Sequence, residues 1–152
     1  MFSIIPAGAA SEEAGNDNGI FAYGHSSSTF LSISNLVSDA GVVGTDVAGV
    51  GTARKDLAAC EYGDDKGIFG FGNGDGGLVS VTNLVSNAGV VATDTTGVGT
   101  ARKGLGACEY GEDKGIFAYG ETVSMSNLVT NVGVVGTDVT GVGTARSLLS
   151  SC

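Results

Sequence analysis

The feature that most constrains this chain is that it repeats itself. The string Gly-Ile-Phe-(Ala/Gly)-(Tyr/Phe)-Gly begins at Gly19, Gly67 and Gly115, and Gly-Val-Gly-Thr-Ala-Arg ends at Arg54, Arg102 and Arg146. Cys-Glu-Tyr-Gly follows at Cys60 and Cys108, and Cys152 takes the same place six residues after its Arg. The first interval is 48 residues, and the last shortens to 44. The four missing residues come out of one connection: ten residues separate Gly24 from Asn35 and Gly72 from Asn83, but only six separate Gly120 from Asn127. Most substitution between copies falls there too. A repeat of this size is one supersecondary unit that cannot bury its apolar face alone, so the units must stack.

Within a unit the residues read as four short strands. Asp56 to Tyr62 is the first, and Gly63-Asp64-Asp65-Lys66-Gly67 suits a tight hairpin because Asp and Gly tolerate positive φ. Ile68 to Gly72 is the second. Leu78 to Val85 is the third, with Val79 and Val81 alternating against Ser80 and Thr82. Val90 to Asp94 is the fourth, after a Ser-Asn-Ala-Gly turn. No segment keeps a helical period over ten residues. Composition agrees, with 27 Gly, one Pro and abundant Val, Ser and Thr, and no strict Gly-X-Y period of the collagen kind.

Four antiparallel strands in about 48 residues is the size of a propeller blade. Thr52 to Gly72 resembles the kelch repeat, with an Arg before the first strand, small residues within it, and a hydrophobic second strand ending in glycine. Asn83 to Val91 is similar to the Tyr-Asp-Pro…Asn-Thr-Trp segment of that repeat. The near-identical copies also resemble stretches of virion or tail-associated proteins of marine bacteriophages, which implies a viral structural or attachment setting.

The sequence therefore predicts an all-β chain of three four-stranded antiparallel blades, half of a six-bladed β-propeller closed by homodimerisation. Three blades do not close a ring, and an open arc exposes two apolar faces. The expected divisions are 1–18 as a degenerate first strand and lead-in, 19–66 as blade one, 67–114 as blade two, and 115–152 as blade three with a clasp strand at 147–152. Ile4 to Phe21 aligns without gaps to Thr52 to Phe69, yet Pro6 stands where Arg54 would and Glu12 where Cys60 would. Ser147 to Cys152 is accordingly expected to supply the first strand to the blade starting at Gly19, on a neighbouring chain. A duplication product or a fragment of a longer array is the competing account of the chain's ends.

A net charge of −9, with its seven basic residues scattered, argues against nucleic acid. Met1 to Pro6 lacks a basic n-region, so no signal peptide is expected, and no apolar run is long enough for membrane insertion. His25 is the only histidine, set beside Ser26-Ser27-Ser28, and reads as a solvated loop residue. Cys60, Cys108 and Cys152 occupy equivalent strand positions, too far apart for a disulfide, and read as small buried residues. The acidic turns Asn16-Asp17-Asn18-Gly19, Asp64-Asp65 and Glu112-Asp113, and Asn73-Gly74-Asp75-Gly76-Gly77, lack the alternating ligand pattern of a calcium loop. Gly-Val-Gly-Thr-Ala-Arg lacks the Gly-Lys-(Ser/Thr) of a phosphate loop. No cofactor or metal is expected.

Two sets of residues are candidate contacts. His25, Ser26, Ser27 and Ser28, Asn73 and Asp75, and Glu121 and Thr122 lie in the variable connection. Arg54, Arg102 and Arg146 recur once per blade and would lie on one circle of a ring. They either face the axis and bind an anion, or pair locally with Asp46, Asp94 or a backbone carbonyl. Three readings of function stand at this point. One is a non-enzymatic binding or structural module with a protein or glycan ligand. Another is a lectin-like or hydrolase site at the ring axis, for which the absence of Trp and the placement of Tyr23, Tyr62, Tyr110 and Tyr119 in strand motifs are unpromising. The last is a minimal duplicated or engineered propeller with no selected ligand.

Overall fold

A computed structural model describes residues 18–151. The lead-in strand expected within 1–17, with Pro6, Glu12, Asn16 and Asp17, and the third cysteine, Cys152, lie outside the described residues. Thirteen short strands and no helix are present among the described residues. The first unit carries β1 (Gly19–Ala22), β2 (His25–Ser26), β3 (Thr29–Phe30) and β4 (Ser34–Val37). The second carries β5 (Arg54–Lys55), β6 (Ala58–Tyr62), β7 (Lys66–Gly70), β8 (Asn73–Gly74), β9 (Gly77–Leu78) and β10 (Thr82–Val85). The third carries β11 (Gly106–Tyr110), β12 (Lys114–Ala118) and β13 (Ser126–Val129).

The main sheets are antiparallel meanders, β6-β7-β10 and β11-β12-β13, with β1-β4 as their two-stranded counterpart. Tyr62 faces Lys66 across the first hairpin, and Gly63 and Asp64 turn it with φ of 60° and 68°. The expected third strand is divided. Phe71 and Gly72 both leave extended geometry, at φ 61° and 109°, so the ladder stops at Gly70 and Leu78 joins a separate small sheet, β5-β8-β9. The expected fourth strand is reduced to isolated bridges. Val85 faces Val91 and Thr82 faces Thr95, three steps on one side against four on the other. That extra residue is a bulge, and the same slip recurs in both other units.

Successive units lie face to face. β6 packs on β11 and β12, and the apolar core straddles the junctions rather than filling each sheet. Tyr62, Ile68 and Phe71 of the second unit meet Leu105, Ala107, Phe117 and Val129 of the third. Tyr23 of the first unit meets Phe69 and Val85 of the second. The rings interlock edge to face, Tyr23 on Phe69 at 5.4 Å and Phe71 on Phe117 at 5.3 Å. Small residues allow this approach. A Cβ on Gly115 would come within 2.6 Å of Cys60 Sγ and 3.0 Å of the Glu61 carbonyl oxygen. Gly115→Val should therefore cost about 1–3 kcal/mol through overpacking, read as a lower urea midpoint, whereas a Gly76 substitution, with open space around it, should leave the midpoint unchanged.

Candidate functional site

The residues shared by all copies converge on the junctions. Arg54 is fully buried. Its Nε donates to the Phe71 carbonyl at 2.8 Å, one terminal nitrogen to the Thr52 carbonyl at 3.0 Å, and the other to Asn83 Oδ1 at 2.8 Å. The guanidinium lies over the Tyr23 ring of the preceding unit, 4.2 Å from its centroid. Arg102 repeats the arrangement with bonds to Tyr119 O (2.7 Å) and Thr100 O (3.1 Å) and stacking on Phe71 at 4.2 Å. Its remaining nitrogen and Asn127 Oδ1, counterparts of the Arg54–Asn83 bond, are buried without hydrogen-bond partners. Each arginine thus binds a carbonyl of its own unit and covers a ring of the one before.

This explains the backbone at the aromatic–glycine step. Tyr23, Phe71 and Tyr119 all have φ between 61° and 65°, which is unfavourable for bulky side chains. In that conformation the Phe71 and Tyr119 carbonyls point at an arginine Nε. The following glycine, at φ 109° in Gly72, donates its N–H to the next arginine's carbonyl (Gly72 to Arg102, 2.9 Å).

A second layer holds the arginine's neighbours. Asn83 Nδ2 donates to Ala92 O at 3.0 Å and to Asp94 Oδ1 at 2.9 Å, which fills the bulge. Asp94 in turn accepts from Thr52 N and Thr52 Oγ1. Asn127, Asp138 and Thr100 repeat the set, and Asn35 donates to Asp46 at 2.8 Å. Burial pushes the Asp94 carboxyl up, but the Thr52 and Asn83 bonds outweigh it and hold it below the ordinary value. Asp138 is lowered mainly by Thr100, burial opposing. Burial pulls Arg54 and Arg102 below the usual arginine value. Neither makes a direct ion pair: the expected partner Asp94 reaches Arg54 one bond removed, through Asn83 and Thr52, whereas Asp46 bonds Asn35, which binds no arginine among the described residues. The Asn–Asp–Thr set escaped the sequence reading, although identity of Asn35, Asn83 and Asn127 across copies was a visible signal.

Arg54 and Arg102 therefore point into junctions, Arg54 with all three nitrogens bonded and Arg102 with two, whereas Arg146 is exposed, bonded to Thr144 O at 3.2 Å and stacked on Tyr119 at 3.8 Å. β8 pairs with β5, which puts Asn73 on the strand beside Arg54, but the exposed variable-loop residues are not gathered around the arginines. His25, Ser26, Ser27 and Ser28 are exposed at the β2-β3 hairpin, Asp75 is exposed at the tip of β8-β9 with Asn73 half-buried at its base, and Thr122 is exposed beside half-buried Glu121. The shorter third connection forms a turn without a hairpin. Lys103 Nζ approaches Glu121 at 3.6 Å, by a cavity of about 240 Å³ that Asp56 and Leu148 also line.

Tyr23 and Tyr62 are buried, as their strand positions suggested, but Tyr110 is 38% exposed. Cys60 and Cys108 are free and half-buried, and burial pushes the Cys60 thiol up to about 12. Asp65 pairs with Lys66 at 2.9 Å and Asp113 with Lys114 at 2.6 Å. No group of three His, Cys, Asp or Glu among the described residues could hold a metal ion, and no described helix is long and apolar enough to cross a membrane.

These features define an all-β protein of stacked repeats joined by buried arginines. Compared with protein-family models and with curated proteins, the chain matches none.

Arg54→Ala should cost more than about 3 kcal/mol, since several charge-assisted bonds of about 1.5–3 kcal/mol each are lost and Asn83 and Phe71 O are left unpaired. Arg54→Lys should recover little of it, because an ammonium cannot span the three acceptors. Acid should also unfold the chain. The Asp94 and Asp138 values in the folded state lie below the unfolded value of about 3.9. Their stabilisation is thus full above about pH 4 and lost as pH falls through the folded values. A urea midpoint measured against pH should drop in that window, and Asp94→Asn should flatten the drop while lowering the midpoint at pH 7.

Proposed function

We propose that this chain is a non-enzymatic binding or structural module, a three-blade half of a six-bladed β-propeller completed by a second copy, with its variable hairpins as the contact surface for a protein or glycan. The observation that carries the reading is a division of labour. Repeated residues such as Arg54, Arg102, Phe69 and Phe117 are sequestered in the two internal junctions, while residues that vary, His25 to Ser28, Asp75 and Thr122, stand in solvent. Variation placed on exposed loops of a rigid scaffold is where binding specificity resides in such folds. The arginines offer less to a ligand at the axis, because Arg54 and Arg102 are buried inside the fold. A virion or attachment setting fits the resemblance of the repeats and a loop-presenting module.

The test is binding of the fluorescently labelled chain to a printed glycan array. A variant in which the residues between Gly24 and Asn35 and between Gly72 and Asn83 are replaced by the six-residue third connection should lose or change the pattern, with its thermal midpoint kept within a few degrees. A pattern that survives the replacement would remove the hairpins as the contact surface.

A further inference from the structure

We propose that the leading side of the first unit and the trailing side of the third are the two halves of one more junction, closed between two copies of this chain by Arg146 and Phe21. This rests on the reading that the units continue from one copy to the next, and it names the groups that would join them.

The two internal junctions supply the template. Phe69 and Phe117 are 7% and 0% exposed because each meets an aromatic ring of the preceding unit, yet Phe21, the same residue in the first unit, is 64% exposed. The corresponding ring at the other end is Tyr119, covered on one side by Arg146. Tyr62 is 4% exposed beneath the third unit, whereas its counterpart Tyr110 is 38% exposed. A Cβ on Gly133 would meet Leu84 and the Tyr62 ring at 2.8–3.0 Å, while a Cβ on Gly41 meets nothing within 4 Å. Both faces have the composition of a junction and, among the described residues, meet no other half.

The polar groups are equally complementary. Arg146 keeps the carbonyl bond to Thr144 and the stacking on Tyr119, but its Nε bonds to nothing among the described residues. The atoms that such an arginine binds, the carbonyl after β1 at Tyr23 and Asn35 Oδ1, accept no bond among the described residues. In repeat register the arginine of that slot is Pro6 and its threonine is Ile4, whose side chains cannot donate. Among the described residues Thr144 likewise lacks the carboxylate that Thr52 and Thr100 bind, and Asp46 takes the Asn35 bond alone.

Among the described residues no strand other than β4 pairs with β1. A groove of about 570 Å³ runs beside β1 and over β6, lined by Gly19, Ile20, Ala59 and Cys60. β6 and β11 occupy the matching place beside β7 and β12. The segment 147–151 already starts as a further unit would, with Leu148 N donating to Gly104 O at 2.7 Å as Gly104 N does to Asp56 O at 2.8 Å. In repeat register Ser150 and Ser151 of one copy fall opposite Ala22 and Phe21 of the other. A two-fold pair joins both faces of each copy at once.

The experiment is solution mass by light scattering, across a hundredfold dilution, for the intact chain, Phe21→Glu, Arg146→Glu and an equimolar mixture of the two variants. The intact chain should run at twice its 15.0 kDa mass, and each variant alone should fall to the monomer with an unchanged circular dichroism spectrum. The mixture should re-form a one-to-one complex, since one intact leading face meets one intact trailing face. Thr144→Val, which removes one hydroxyl, should weaken the dimer about tenfold, equivalent to about 1.4 kcal/mol. A dimer indifferent to all these substitutions, or variants that fail to complement, would overturn the latch and leave a two-copy ring joined elsewhere. An intact chain that stays monomeric would overturn both the latch and the six-unit ring.

Discussion

Everything in this fold is hung on a guanidinium buried between two aromatic–glycine corners. Removing a cation from water is costly unless its donors are met, and Arg54 meets the demand with two carbonyls, an asparagine oxygen and the face of a tyrosine. Those acceptors belong to one unit and the ring to another. The desolvated charge is therefore satisfied only when neighbouring units are in register, which turns a local hydrogen-bond requirement into a rule for stacking. The left-handed conformation of Phe71 is sustained by the same bond.

The remaining architecture removes obstacles to that stacking. Apolar cores lie between sheets, so the facing strands need small residues, and Gly115 against Cys60 shows how little room a side chain would have. The bulge opposite Thr82–Val85 gives Asn83 a carbonyl to hold and brings Asp94 within reach, so that Thr52 of the connector is tied to the unit it enters. Short strands then suffice, because the cohesion of the molecule is carried by its junctions rather than by long ladders.

The same economy explains the character of the outer residues. The hairpins β2-β3 and β8-β9 contribute nothing to the two clusters of buried apolar side chains. They are free to differ in length and chemistry while the clamp residues remain alike. A module built this way can alter what it presents without altering how it folds.

Much was legible before any coordinates. The repeat, its all-β character, the turn at Gly63–Lys66 and the confinement of variation to one connection are local properties, set by periodicity and turn chemistry. So was the likeness of Arg54, Arg102 and Arg146, but not what it meant, because a sequence does not show which side of a sheet a cation faces or which carbonyls surround it. The expected third strand ran through Leu78 because alternation of Val and Ser continues there; only the left-handed turn at Phe71 and Gly72 in its partner strand ended the pairing. The fourth strand was over-read for a similar reason, since a one-residue bulge leaves no mark on composition. Sequence alone determined that the units are the same and must stack, because each has one apolar face too small to stand by itself. Tertiary structure alone decided that a buried arginine joins them, because two of its three acceptors come from residues 17 and 29 positions away and its ring from the unit before.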